Sequence, residues 1–64
     1  MFYHILFDGK LSEIGHPTLA RAAAVWKDSD RHGQVVAVGT ENQIVHEYSA
    51  EEAEEAAKTY FPSR

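Results

Sequence analysis

Two stretches of the chain repeat the same spacing of apolar residues, and this repeat constrains the fold more than any other feature. Both place apolar residues at positions i, i+3, i+4 and i+7, the spacing of one helix face. The first set is Leu19, Ala22, Ala23 and Trp26, and the second, 34 residues later, is Ala53, Ala56, Ala57 and Tyr60. A hairpin-like segment precedes each set, so the sequence predicts two β-β-α units.

Four segments have the composition of strands. Phe2–Phe7 is apolar over nearly its whole length, which favours a central strand covered on both faces. Asp8-Gly9 predicts a tight hairpin turn, and Glu41-Asn42 predicts a second turn. In the last strand, alternation places Ile44, His46 and Tyr48 on one face. The remaining strands are predicted at residues 10–14, 34–40 and 43–48.

Both helices have recognisable start signals. The breaker at residues 15–18 precedes the first helix, which we expect to continue to about Asp28. The second helix begins with a capping box from Ser49 to Glu52, and Pro62 ends it. The predicted fold class is α+β, with a four-stranded antiparallel sheet and both helices on one face. In the alternative, β-α-β-β-α, residues 10–14 form only a loop.

The length of 64 residues allows one small α+β domain, spanning residues 1–64. Such a domain buries about 60 % of the surface that its unfolded chain exposes, so we expect low stability. The sequence has no cysteine, which excludes disulfides and thiolate chemistry. It shows no signal peptide and no membrane span, so we expect a cytoplasmic protein without membrane partners.

The polar residues form no recognisable catalytic or metal-binding motif. Residues 28–33 resemble half of a calcium loop, with Asp28, Asp30 and His32 at ligand positions, but Gly39 occupies the position that needs a glutamate. His4 and His46 could meet if the first and fourth strands were neighbours. The serines lack the context of a nucleophile. We therefore expect no enzyme activity, no cofactor and no metal.

The aromatic residues of the first strand suggest a second class of function. Phe2, Tyr3 and Phe7 could stack nucleic-acid bases if they were exposed. Binding of this kind also needs a row of basic side chains along the nucleic-acid backbone. A domain this small, in addition, needs its aromatic residues in the core. We therefore expect no direct binding of nucleic acid.

The net charge of −4 lies entirely in the last third of the chain, because residues 1–40 are neutral. Helix positions three or four apart are about 5–6 Å apart at Cβ, similar to successive phosphates of a nucleic-acid strand. Only one glutamate of this segment, Glu54, has a basic residue at a favourable helical spacing, namely Lys58. The alternative interpretation is a solvated helix face that keeps the domain soluble. The acidic residues are Glu41, Glu47, Glu51, Glu52, Glu54 and Glu55.

As a whole, the chain resembles the small, acidic, cysteine-free proteins of phages and mobile elements that inhibit bacterial defence, including anti-CRISPR proteins. The resemblance depends on the 64-residue length, the absence of catalytic motifs and the segment EYSAEEAEEAAK at residues 47–58. Some members of that class are DNA mimics, which place carboxylates where phosphates bind. The resemblance implies this role for the six glutamates named above.

The function hypothesis is a non-enzymatic inhibitor whose acidic surface occupies the basic site of a nucleic-acid-handling protein or complex. The predicted partner-binding set is the six glutamates with Tyr48; Tyr60 and Phe61 are further aromatic candidates. The alternative is a small regulatory domain that binds nucleic acid through its sheet or self-associates through an uncovered sheet face. We expect a monomer or a weak homodimer.

Overall fold

The computed structural model describes residues 1–60, in which two hairpins alternate with two helices. All strand pairs are antiparallel, and the order across the sheet is β2-β1-β3-β4. This arrangement confirms the predicted α+β class with two hairpins side by side. The elements are β1 (Phe2–Phe7), β2 (Lys10–Leu11), α1 (Leu19–Asp28), β3 (Gln34–Val38), β4 (Ile44–Glu47) and α2 (Ala50–Tyr60).

The two hairpin turns form where the sequence places them. Asp8 and Gly9 have φ angles of 50° and 81°, as a turn with two left-handed residues requires. Asn42, with φ of 62°, takes the same conformation in the second turn. Asparagine tolerates this region better than most residues, which explains its position there.

The second strand is shorter than the predicted 10–14. It ends at Leu11, although the Ser12 N–H still donates to the Ile5 carbonyl oxygen at 2.8 Å. The chain pairs with β1 again at His16, whose N–H donates to the Tyr3 carbonyl oxygen at 2.8 Å. At Gly15 the chain passes so close to β1 that an added Cβ would lie 2.9 Å from Nε2 of His4. The missing side chain therefore allows this close approach. Thr18 then caps α1 by accepting the Arg21 N–H at 3.2 Å.

A β-bulge in the second hairpin changes which residues share a face. Ile44 pairs with Val38, but His46 pairs with Ala37, and the register shifts between them. Ile44 and His46 therefore lie on opposite faces, and the predicted alternation through the fourth strand is wrong. The third and fourth strands are also shorter than predicted.

The two alanine-rich stripes meet over one face of the sheet. Their residues pack with Ile5 and Val35 in one core cluster, and the Trp26 indole donates to the Gly33 carbonyl oxygen at 3.1 Å. Small side chains at the helix contacts allow this close packing. The repeat is imperfect, because Trp26 is 3 % exposed while its counterpart Tyr60 is 47 % exposed. The buried helix residues of the cluster are Ala22, Ala23, Trp26, Ala53 and Ala57.

Within residues 1–60, no helix lies over the other face of the sheet. Residues directly paired across neighbouring strands share a face, so the register defines two rows on this side. The expectation that β1 is covered on both faces is therefore wrong: Phe2 is 54 % exposed. The two rows on this face are Phe2–Val38–Ile44 and His4–Val36–Glu47.

Neither helix in residues 1–60 is long and apolar enough to cross a membrane.

Candidate functional site

Three of the predicted carboxylates line one shallow, open groove between α2, the start of α1 and the end of the second hairpin. We call this surface the acidic groove; its volume is about 480 Å³. Its apolar residues come from three parts of the chain, namely the start of α1, the end of the second hairpin and the second turn of α2. The groove is lined by Leu19, Tyr48, Glu51, Glu52, Glu55 and Ala56.

Glu52 is fixed in the groove by the predicted capping box, which the structure confirms. The Ser49 N–H donates to Oε1 of Glu52 at 2.9 Å, and the Glu52 N–H donates to the Ser49 hydroxyl oxygen at 3.1 Å. This reciprocal pair satisfies two backbone donors at the start of α2. Glu52 therefore has a structural role in addition to its charge.

Tyr48 forms the boundary between the groove and the core. Its ring lies 4.3 Å from the His46 ring and 6.3 Å from the Tyr3 ring, measured between centroids. Burial raises the pKa of the Tyr48 phenol, and interactions with Tyr3 and Glu52 add to the effect. The phenol therefore remains neutral at physiological pH, and Tyr48 contributes an uncharged aromatic side chain to the lining of the groove.

Glu54 does not join the acidic groove, although the sequence grouped it with the other helix glutamates. It forms ion pairs with Arg31, which donates a hydrogen bond to it, and with Lys27 at 3.5 Å. The hydrogen bond from Arg31 lowers the pKa of the Glu54 carboxyl and raises the pKa of the guanidinium. This carboxylate joins α2 to α1 and the loop that follows it.

The favourable partner of Lys58 is also different from the predicted one. Lys58 lies 3.6 Å from Glu55, three residues earlier, rather than pairing with Glu54. Both side chains are largely exposed, so this pair leaves Glu55 accessible to a partner. Glu51 is exposed as well.

The last two predicted carboxylates lie away from the groove. Glu41 is in the β3–β4 turn, where its N–H donates to the Gln43 side chain at 3.1 Å. Glu47 pairs with Val36, which places it on the sheet face away from the helices. The structure therefore brings together Tyr48 and three glutamates, and separates the remaining three.

The two histidines that would meet if the first and fourth strands were neighbours are not brought together. His4 and His46 are on strands separated by β3, and they lie on opposite faces of the sheet. Within residues 1–60, no group of three or more histidines and carboxylates is arranged to hold a metal ion. In the calcium-like loop, Asp30 and Arg31 both have positive φ, 60° and 57°, and Arg31 is directed to Glu54.

The aromatic residues of β1 do not form a platform for bases. Tyr3 and Phe7 pack against the helix-side core, and the Phe7 ring stacks on His32 at 5.3 Å. Phe2 is the one aromatic residue of β1 on the open face. Tyr60 is at the end of α2, and Phe61 lies outside the described residues.

Sequence reasoning missed Leu19 as a site residue. Its helical spacing assigned it to the core, and it does pack there in part, but it also lines the acidic groove. The sequence feature that could have identified it is its position at the first residue of α1, because a side chain at the end of an apolar stripe is covered on one side only.

No family model, no curated protein and no solved structure matches the chain.

Proposed function

We propose that the chain is a non-enzymatic protein-binding inhibitor, which acts in the cytoplasm by placing its acidic groove on a basic nucleic-acid-binding site of a target protein or complex. The observation that carries the proposal is the combination of three carboxylates with an apolar floor in one groove. An acidic surface that only maintained solubility would need no such floor.

The groove has the chemistry to accept a lysine or arginine side chain. The methylene groups of such a side chain can pack on Leu19, Ala56 and the Tyr48 ring, while its charged end meets Glu51, Glu52 or Glu55. The Tyr48 ring is also a surface for a cation–π contact. Basic nucleic-acid-binding sites are rich in exposed lysine and arginine, so they offer several such side chains.

The separation of the carboxylates favours a local contact over an extended imitation of a nucleic-acid strand. Glu54 is neutralised within the chain by Arg31 and Lys27. Glu41 and Glu47 lie in the turn and on the open sheet face, away from the groove. The proposed inhibitor therefore blocks one part of a basic site through the groove, with charge speeding the encounter.

The first experiment is capture by the immobilised protein from a bacterial lysate, with elution in a salt gradient and identification by mass spectrometry. The groove variant is Glu51→Lys with Glu55→Lys, which leaves the Ser49–Glu52 capping box intact. The matched control is Glu41→Lys with Glu47→Lys, which makes the same change in net charge outside the groove. Circular dichroism checks that both variants fold.

We expect the wild type and the control to retain a nucleic-acid-binding protein that the groove variant loses. Added DNA or RNA should then displace that protein from the column. Equal loss in both variants would mean that net charge alone is responsible, and retention by the groove variant would mean that the groove is not the contact. Either outcome contradicts the proposal.

A further inference from the structure

A second concave surface lies between α1, β1 and the segment that connects β2 to α1. We call it the α1 cleft; its volume is about 540 Å³, larger than that of the acidic groove. Ile5 and Phe7 of β1, Val25 of α1 and side chains of residues 12–16 line it. It shares no lining residue with the acidic groove, so the two surfaces are separate.

The wall formed by the connecting segment is fixed to β1 at both ends. The Ile5 N–H donates to the Ser12 hydroxyl oxygen at 3.2 Å, and that hydroxyl donates to the Ile14 carbonyl oxygen at 3.3 Å. At the other end, the His16 N–H donates to the Tyr3 carbonyl oxygen at 2.8 Å. The cleft is therefore formed before a ligand binds, which reduces the entropic cost of binding.

The chain itself leaves part of the apolar surface of the cleft uncovered. Ile14 is 68 % exposed and Val25 is 39 % exposed, whereas Ile5, which lines the same cleft, is 2 % exposed. Single exposed apolar residues are normal on a protein surface, but these two converge on one cavity. A ligand between them would remove apolar surface of both from water.

Glu13 determines the charge of a complementary ligand. Among the described residues, it is the only charged side chain that lines the cleft, and it forms no ion pair there. The other titratable residue of the lining is His16. Burial lowers the pKa of its imidazole, and the charges of Arg21 and His4 lower it further. The imidazole is therefore neutral at physiological pH and does not compensate the carboxylate.

We propose that the α1 cleft binds a small cationic amphiphile, with its apolar body between Ile14 and Val25 and its ammonium group at Glu13. Small-molecule sites typically have volumes of about 300–1,000 Å³, mostly apolar walls and a few polar groups, and the cleft has this character. A neutral ligand would leave the carboxylate without a partner, and an anionic ligand would be repelled. The proposal is independent of the proposed function, which depends on the acidic groove.

NMR of the isotope-labelled full chain tests the proposal with phenylbutylamine as the probe. We expect amide shifts within residues 12–16 and 25–29 and a Kd of about 1 mM, a typical affinity for a ligand of this size. Phenylbutanol, which has the same body without the charge, should bind about threefold more weakly, and phenylbutyrate about tenfold more weakly. The absence of shifts in these two segments, or equal affinity for the three probes, would overturn the proposal.

Two pairs of variants test the parts of the cleft separately. Glu13→Gln should bind phenylbutylamine and phenylbutanol equally, while Glu41→Gln makes the same charge change in the β3–β4 turn and should keep the preference for the amine. Ile14→Ser should weaken the binding of both probes about fivefold, and Ile44→Ser in β4 should not. Circular dichroism checks that each variant folds. An unchanged preference in Glu13→Gln, or equal weakening by both serine variants, would contradict the proposal.

The acidic groove also carries negative charge, so the titration is repeated in the variant Glu51→Lys with Glu55→Lys. The shifts in residues 12–16 and 25–29 should keep the same midpoint in this variant. Shifts that are confined to residues 48–56 of the wild type, and are lost in the variant, would overturn the α1 cleft as a site and leave the proposed function standing. Failure of the lysate capture would leave the result for the cleft unchanged.

Discussion

Gly33 is the more crowded of the two described glycines with positive φ. Its φ is 88°, and an added Cβ would lie 2.8 Å from both the Ile5 side chain and the Leu6 carbonyl oxygen. Gly9 is a natural control, since its φ is 81° but nothing lies within 4 Å of the same point. The two glycines separate the cost of the backbone conformation from the cost of the steric clash.

We therefore expect Gly9→Ala to lower the free energy of unfolding by about 1 kcal/mol, the cost of a left-handed residue with a side chain. Gly33→Ala adds overpacking of about 1–3 kcal/mol, for a total of about 2–4 kcal/mol. Urea unfolding monitored by the fluorescence of Trp26, the single tryptophan, measures both values. Equal losses in the two variants would show that the contacts at Gly33 have no energetic effect.

Glu54 makes the stability of the fold sensitive to acid. Because Arg31 lowers its pKa below the ordinary 4.5, the folded state holds the carboxylate charged where the unfolded chain is already protonated. This contribution is complete above the unfolded pKa and is lost as the pH falls through the folded pKa. The ion pairs therefore stabilise the contact between α1 and α2 at neutral pH and not in strong acid.

Glu54→Gln imitates the protonated side chain and should remove this dependence. We expect the variant to be less stable than the wild type at pH 6, with the difference shrinking toward zero near pH 2. Urea midpoints at several pH values measure the difference. A difference that stays constant over this range would contradict a role for the ionised carboxylate.

At the scale of the elements, the start of α2 depends on one hydroxyl group. Ser49→Ala removes the acceptor for the Glu52 N–H and should lower the free energy of unfolding by about 1 kcal/mol, the usual cost of losing an N-cap. Ser49→Asp retains an acceptor and is the matched control, expected to stay close to the wild type. Urea unfolding measures both; equal destabilisation would mean that the cap contributes nothing.

The helices could be predicted from sequence because their signals are local. An i, i+3, i+4, i+7 stripe and a capping box are complete within about ten residues. The limits of the strands were less accurate, because they depend on contacts between distant segments. The bulge in β4 is visible only from its pairing with Ala37 and Val38, and the end of β2 at Leu11 is visible only from its pairing with β1.

The site could be predicted only in part, because its charge is a local feature of the sequence but its contacts join distant segments. The sequence located the negative charge on α2, and three of the six glutamates do line the acidic groove. It could not show that Glu54 is paired with Arg31, 23 residues away, or that Leu19 of α1 supplies part of the floor. Both facts follow from the packing of the two helices, in which Ala56 of α2 lies near the start of α1 and Glu54 lies near its end.

At the scale of the whole molecule, the two β-β-α units resemble each other in sequence but are not independent. Ile5, Ala22 and Trp26 of the first unit bury their surfaces against Val35, Ala53 and Ala57 of the second. The central strands β1 and β3 also belong to different units. The single core is therefore shared, and cutting the chain between the units would expose it on both sides.

We expect that peptides of residues 1–33 and 34–64 are each unfolded when separate. A hairpin alone is marginally stable at best, and helices of 10 and 11 residues are too short to persist alone in water. Mixing the peptides should restore helical circular dichroism and bury Trp26, with a concentration dependence that reflects association. A cooperative thermal transition in either peptide alone would contradict this expectation, because it would mean that one unit contains a sufficient core of its own.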